Sequence, residues 1–172
     1  TASARRYFEQ IIMLENDYKQ NAYIWDLQQC QDFKLFATKA LVQLGKIDRL
    51  EGDYSAALDK HSCAVKLLTN QPDYYYHVAQ LEKAKDLVQL GSVKAAQKLA
   101  QSLVHNEGVF DSHKLQSLLI LFALDLQRNP TQLNKKLEQQ INQLIKIQGN
   151  EINHPVEFIA FTRLKMVFAG AV

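Results

Sequence analysis

The residues able to do chemistry are scattered along this chain. Its five histidines, His61, His77, His105, His113 and His154, show no metal-ligand spacing and no cysteine partners. No glycine-rich phosphate loop and no nucleophile elbow occurs. No metal, cofactor or catalytic residue is therefore expected, and the protein is not expected to be an enzyme. His61 stands between Ala57 and Ala64 at helical spacing, which places it in a core-facing row. Cys30 and Cys63 are expected to be small buried core residues in a reducing, cytoplasmic setting rather than a disulfide.

Two features suggest contact chemistry instead. Lys39, Val42, Gln43, Lys46 and Arg49 recur at helical spacing, so their three basic groups form one stripe, which Lys85 would extend from a later helix. A solvated basic face is the plainer alternative. The run Tyr74-Tyr75-Tyr76-His77 covers every side of a helix, so part of it is exposed or packs on a neighbouring element. A tyrosine there, with Tyr75 as the candidate, can offer its ring as apolar surface and its hydroxyl as a handle.

Composition bounds these possibilities. With 172 residues, 47% of them apolar and 22% charged, the chain is long enough and hydrophobic enough for a well-formed core, and disorder is not expected. A net charge of +2 without clustered Lys and Arg argues against a nucleic-acid surface. The apolar run from Ser117 to Leu124 stops at Asp125, well short of the roughly 20 residues that cross a bilayer. Arg5 and Arg6 lead into Glu9 rather than into an apolar signal segment. The chain begins Thr1-Ala2-Ser3 and ends on an apolar stop, so it is expected to be a piece of a longer protein.

Glycine and proline punctuate the elements. Helices are expected over residues 3–15, 18–30, 33–51, 54–69, 73–90, 93–106, 112–128, 131–147 and 155–168. Pro72, Pro130 and Pro155 are expected at first helical positions, with Asn129 as an N-cap. Gly108 and Gly149 are expected to close helices, and Gly52 and Gly91 mark sharp breaks; Gly45 alone lies inside a helix. No segment alternates long enough to suggest a strand, so the fold is all-α.

Turns at 16, 52, 91 and 129 give an internal repeat of about 36 to 39 residues. Ala40-Leu41-Val42-Gln43-Leu44-Gly45, then Glu51-Gly52-Asp53-Tyr54-Ser55-Ala56-Ala57, then Ala64, resembles a tetratricopeptide repeat. Leu41, Leu44, Gly45, Gly52, Tyr54, Ala57 and Ala64 fill the family's places, while Asp48 stands where the family carries an aromatic residue. Gly91 and Ala96, with Leu99 and Ala100 nearby, form a weaker copy.

The resemblance implies antiparallel helical hairpins over 3–30, 33–69, 73–106 and 112–147, stacked as a right-handed solenoid in a single domain over 1–172. A terminal helix over 155–168 would cap it. The first helix of each hairpin would line a concave face, putting Lys39, Val42, Gln43, Lys46, Arg49, Tyr75 and Lys85 toward a protein or peptide partner. The implied function is a non-catalytic binding module of a larger signalling or regulatory protein. The alternatives are the ligand-sensing domain of a bacterial transcription or response regulator, or a secretion or assembly chaperone. No nucleic acid or membrane partner is expected. The apolar residues of the last helix, among them Phe158, Phe161 and Phe168, allow self-association.

Overall fold

A computed structural model describes residues 2–20, 27–70, 72–129, 134–147 and 159–164, with the side chains of residues 15, 18, 19, 27–31 and 147 outside the description. Every element in it is a helix: α1 (Ala2–Gln20), α2 (Leu27–Leu50), α3 (Tyr54–Leu67), α4 (Tyr74–Gln89), α5 (Val93–His105), α6 (Asp111–Arg128) and α7 (Lys135–Ile147), followed by helical residues 159–164. No strand occurs among the described residues. The chain divides into two compact units, Thr1–Ser92 and Val93–Val172. This boundary falls inside the hairpin expected over 73–106.

The two glycine breaks are the same backbone device used twice. At the end of α2, Gly52 takes φ +87°; the Asp53 amide reaches back to the Asp48 carbonyl at 2.9 Å and the Gly52 amide to Arg49 at 3.1 Å. At the end of α4, Gly91 takes φ +70°; the Ser92 amide donates to the Leu87 carbonyl at 2.8 Å and the Gly91 amide to Val88 at 3.0 Å. Each pair of bonds satisfies carbonyls left over at a helix end, and the left-handed residue between them favours glycine. Asp53 and Asp73 then open α3 and α4 by accepting from the Ala56 and Tyr76 amides, at 2.9 and 3.0 Å.

Several expected boundaries move. The turn expected at Asn16 does not form, because α1 continues through it to Gln20. Residues 30–33 are likewise continuous within α2, so the first hairpin is not two helices meeting at residue 16. Acid, amide and long side chains on both sides of Asn16 propagate a helix, and asparagine only tolerates the left-handed turn that glycine favours. Pro72 precedes the N-cap Asp73 instead of opening the helix, since the aspartate meets the free amides better than a proline ring can. Asn129 closes α6, and Asn134 caps α7 by accepting from the Leu137 amide at 3.2 Å. Pro130, Pro155, Gly149, Gly170 and His154 lie outside the described residues, as do most apolar residues of the last expected helix.

In the first unit, α2 packs on α1, α3 and α4, and α3 packs on α4. The contacts are made by small residues: Ala37, Ala40, Ala57, Ala64, Ala79 and Ala84 are all buried. Rows of alanine let helix axes approach closely. Gly45 has a more specific task. A Cβ built there would lie 2.5 to 2.9 Å from three atoms of the His61 ring, so this imidazole rests directly on the α2 backbone. His61 is fully buried, as its place between Ala57 and Ala64 predicts. In the second unit, α6 packs on α5 and α7 around Leu115, Leu118, Phe122, Ile141 and Ile145. Phe161 from residues 159–164 enters this core, its ring edge-to-face with Phe122 at 5.5 Å.

Alanine at position 45 normally raises helix stability by about 1 kcal/mol over glycine. Here Gly45→Ala is expected to lower the stability of the first unit by roughly 1–3 kcal/mol through overpacking against the ring. In a His61→Ala background the same change should become neutral or stabilising. Denaturant unfolding of the four proteins of this cycle measures the coupling, and equal effects in both backgrounds would refute the contact.

Candidate functional site

The surface suggested by the basic stripe is largely an internal ion-pair network. Its centre is Glu82 on α4, a residue that helical spacing of cations could not reveal. Arg49 donates to the Glu82 carboxylate, and its other terminal nitrogen reaches the Glu82 carbonyl at 3.3 Å and Asp86 Oδ1 at 2.8 Å. Lys85 Nζ lies 2.9 Å from Glu82 Oε1, and Lys46 Nζ approaches the same oxygen at 3.9 Å. Asp86 uses its second oxygen to meet His61 Nδ1, and His61 Nε2 faces the Val42 carbonyl at 3.1 Å. A carbonyl oxygen only accepts, so Nε2 carries a proton. One chain of polar contacts therefore joins α2, α3 and α4 through the interior of the first unit.

Burial by itself would push the Glu82 carboxyl up. The ammonium of Lys85 and the guanidinium of Arg49 outweigh it and hold the group down to about 2. A second cluster lies at Asp48, in the place where the family resemblance would put an aromatic ring. Asp48 is 4% exposed and receives Arg5 from α1 at 2.7 Å and Lys60 from α3 at 2.6 Å. Burial raises this carboxyl too, and the hydrogen bonds from Lys60 and Arg5 keep it below its usual range. Charge therefore ties α1 and α3 to α2 at this point.

The seven residues proposed from sequence thus separate. Val42 is 1% exposed and belongs to the core with Ala64 and Ala79, so it is removed from any contact surface. Helical spacing placed it beside Gln43, but the two point to different sides of α2, since Gln43 is exposed. Arg49 is turned inward by Glu82 and Asp86, and Lys46 and Lys85 are drawn to Glu82. Lys39 behaves differently. Its ammonium lies 4.6 Å from the Tyr75 ring centroid and 5.4 Å from that of Phe36. No carboxylate pairs with it among the described residues. Phe36, which lies outside the stripe expected from the sequence, is 52% exposed. Its only signal was an aromatic residue three places before Lys39 on the same helix face.

The tyrosine run follows suit. Tyr74 is exposed and packs edge-to-face on Tyr75 at 5.1 Å, Tyr75 and Tyr76 are half-buried, and His77 is buried. Cys63 is a free thiol on the exposed side of α3, contrary to the expectation of a core cysteine. The alanines on either side of the His61 row had already filled the interface, leaving no inward place for it. The Cys30 side chain lies outside the described residues. Among the described residues no group of three or more His, Cys, Asp and Glu could hold a metal, and no helix is long and apolar enough to cross a membrane. No protein-family model, curated protein or solved structure matches this chain.

The depressed Glu82 carboxyl makes the first unit acid-sensitive. Its contribution to stability is complete above the ordinary value of 4.5 and is lost as pH falls from there through about 2. Glu82→Gln should cost about 2 kcal/mol at pH 7, and the difference from the parent should shrink as the pH approaches 2. Urea unfolding across this range tests it; a constant difference at every pH would show that the Glu82 charge is not what stabilises the fold.

Proposed function

We propose that the chain is a non-catalytic protein- or peptide-binding module built of tetratricopeptide-like hairpins, acting within a larger signalling or regulatory protein in a reducing, cytoplasmic setting. The left-handed glycine turns at Gly52 and Gly91 support the repeat architecture, as do the buried alanines at the positions the resemblance marks. The free, exposed Cys63 suits a reducing compartment. The observation that carries the binding function is the Phe36–Lys39–Tyr75 face shared by α2 and α4. It offers an exposed aromatic ring, a cation with no carboxylate, and the amide of Gln43 one turn further along.

Aromatic rings with an adjacent cation make efficient contact sites, because they bury much area while losing few rotamers. The neighbouring Lys46, Arg49 and Lys85 surround this face with charge already balanced by Glu82 and Asp86. Partner specificity would then come from the aromatic and amide groups more than from net charge.

Random dodecapeptides displayed on phage and selected on the whole chain should include a class that binds here. Synthetic peptides of that class should lose about tenfold in affinity with Phe36→Ala or Lys39→Glu, roughly 1.4 kcal/mol, measured by fluorescence anisotropy. Lys46→Glu should have a smaller effect. Selection of no peptide sensitive to either substitution would reject this face as the binding surface.

A further inference from the structure

The second unit contains a trough of about 520 Å³ over α6, walled by α5 and α7 and lying wholly within that unit. Its floor is apolar, formed by Leu118, Leu121 and Leu124 of α6. The α5 wall contributes residues from Val93 to His105, a length of roughly 18 Å at the helical rise. Helix α6 packs against both neighbours, and the trough is lined by Val93 and Lys94 of α5, Asp125 and Arg128 of α6, and Lys136 of α7. The starts of α5 and α7 and the end of α6 therefore share one end of the unit. Lys94, Lys136 and Arg128 stand there, one from each helix.

Charge and hydrogen-bonding capacity narrow the occupant. Asp125 is the single carboxylate among the lining residues, against those three cations. None of the three is paired with a carboxylate among the described residues. Gln97 and Gln101 line the trough from α5, and Gln140 lines it from α7. His105 Nδ1 donates to the Gln101 carbonyl at 2.7 Å, which leaves Nε2 available. Amide side chains both donate and accept, as peptide groups do, whereas an acyl chain in the trough would leave them desolvated and unmatched.

We infer that this trough is a second binding site, for an acidic amphipathic peptide segment of a partner protein. Apolar side chains of the segment rest on the α6 leucines, its carboxylates meet Lys94, Arg128 and Lys136, and the glutamines bond to its polar groups. The inference rests on the proposed peptide-binding function but not on the Phe36–Lys39–Tyr75 face.

The same peptide selection tests it separately. A class of peptides rich in Asp or Glu and large apolar residues should emerge. Its affinity should fall about tenfold in the Arg128→Glu/Lys136→Glu variant and about tenfold between 50 and 300 mM salt, with no change in Lys39→Glu. Replacing each Glu of the peptide by Gln should weaken binding to a similar degree. Lys136→Gln, a milder change at an exposed position, should cost roughly threefold, and circular dichroism checks that each variant is folded. The site is refuted if no acidic class appears, if the charge-reversed variant binds equally well, or if the Gln-substituted peptide binds as tightly. Saturable binding of laurate with no acidic peptide bound would also refute it and assign the trough to an anionic amphiphile. Peptides sensitive to Lys39→Glu alone would leave the proposed function standing and this site rejected.

Discussion

The first unit depends on an imidazole packed directly against a glycine. His61 is fully buried and has no water to turn to, so both ring nitrogens need partners inside the protein. Asp86 on α4 supplies one and the Val42 carbonyl on α2 the other, while the missing side chain at Gly45 makes room for the ring. A buried aspartate is itself costly without compensation, and Arg49 provides it. Arg49 in turn brings in Glu82, and Glu82 gathers the two lysines at the edge. Each group is tolerated because the next one is present. Such a chain fixes the relative position of three helices more narrowly than alanine packing could, because hydrogen bonds are lost within a few tenths of an ångström while small apolar contacts slide.

That constraint reshapes the surface above it. Cations spaced along one helix face look in sequence like a stripe waiting for an anionic partner. Whether they are available depends on carboxylates contributed by another helix, and no spacing rule within α2 reports those. Glu82 and Asp86 sit four residues apart on α4, the separation that aims two side chains the same way, and both aim at α2. The stripe is thereby balanced from within. Lys39 escapes because the residues nearest it are aromatic, so its charge is accommodated without being neutralised.

Much of the fold was legible in the sequence for identifiable reasons. Glycine in a left-handed turn and aspartate ahead of a helix are local signals, and the breaks at 52 and 91 fall where expected. The inward row of His61 was legible because its neighbours at helical spacing are alanines. Asn16 misled because a left-handed conformation is available to asparagine without being required of it. Val42 and Cys63 misled in opposite directions. One shares its helical spacing with Lys39, Lys46 and Arg49 yet faces the core, and the other has a residue type that usually hides yet faces water. In both cases the deciding information is which arc of the helix the neighbouring helices cover. Phe36 and Glu82 were missed for a related reason: each matters through a residue on a different helix.

The repeat spacing shows how the residues of this polar chain change from one copy to the next. The spacing of 39 residues between Gly52 and Gly91 carries Gly45, Arg49, His61 and Asp86 onto Ala84, Val88, Ala100 and Asp125. Glycine and histidine, which fit only each other, become two alanines, and both are fully buried. The arginine becomes an apolar residue. Of these four residues only the aspartate is kept, and Asp125 is half-buried on the wall of the trough where Asp86 is fully buried. The core of the second unit is apolar and includes the edge-to-face rings of Phe122 and Phe161. A hydrocarbon core makes no demand on charged groups, so the lysines and arginine at the trough keep their charge directed outward. In the first unit the cations complete the fold, and in the second the fold is complete without them.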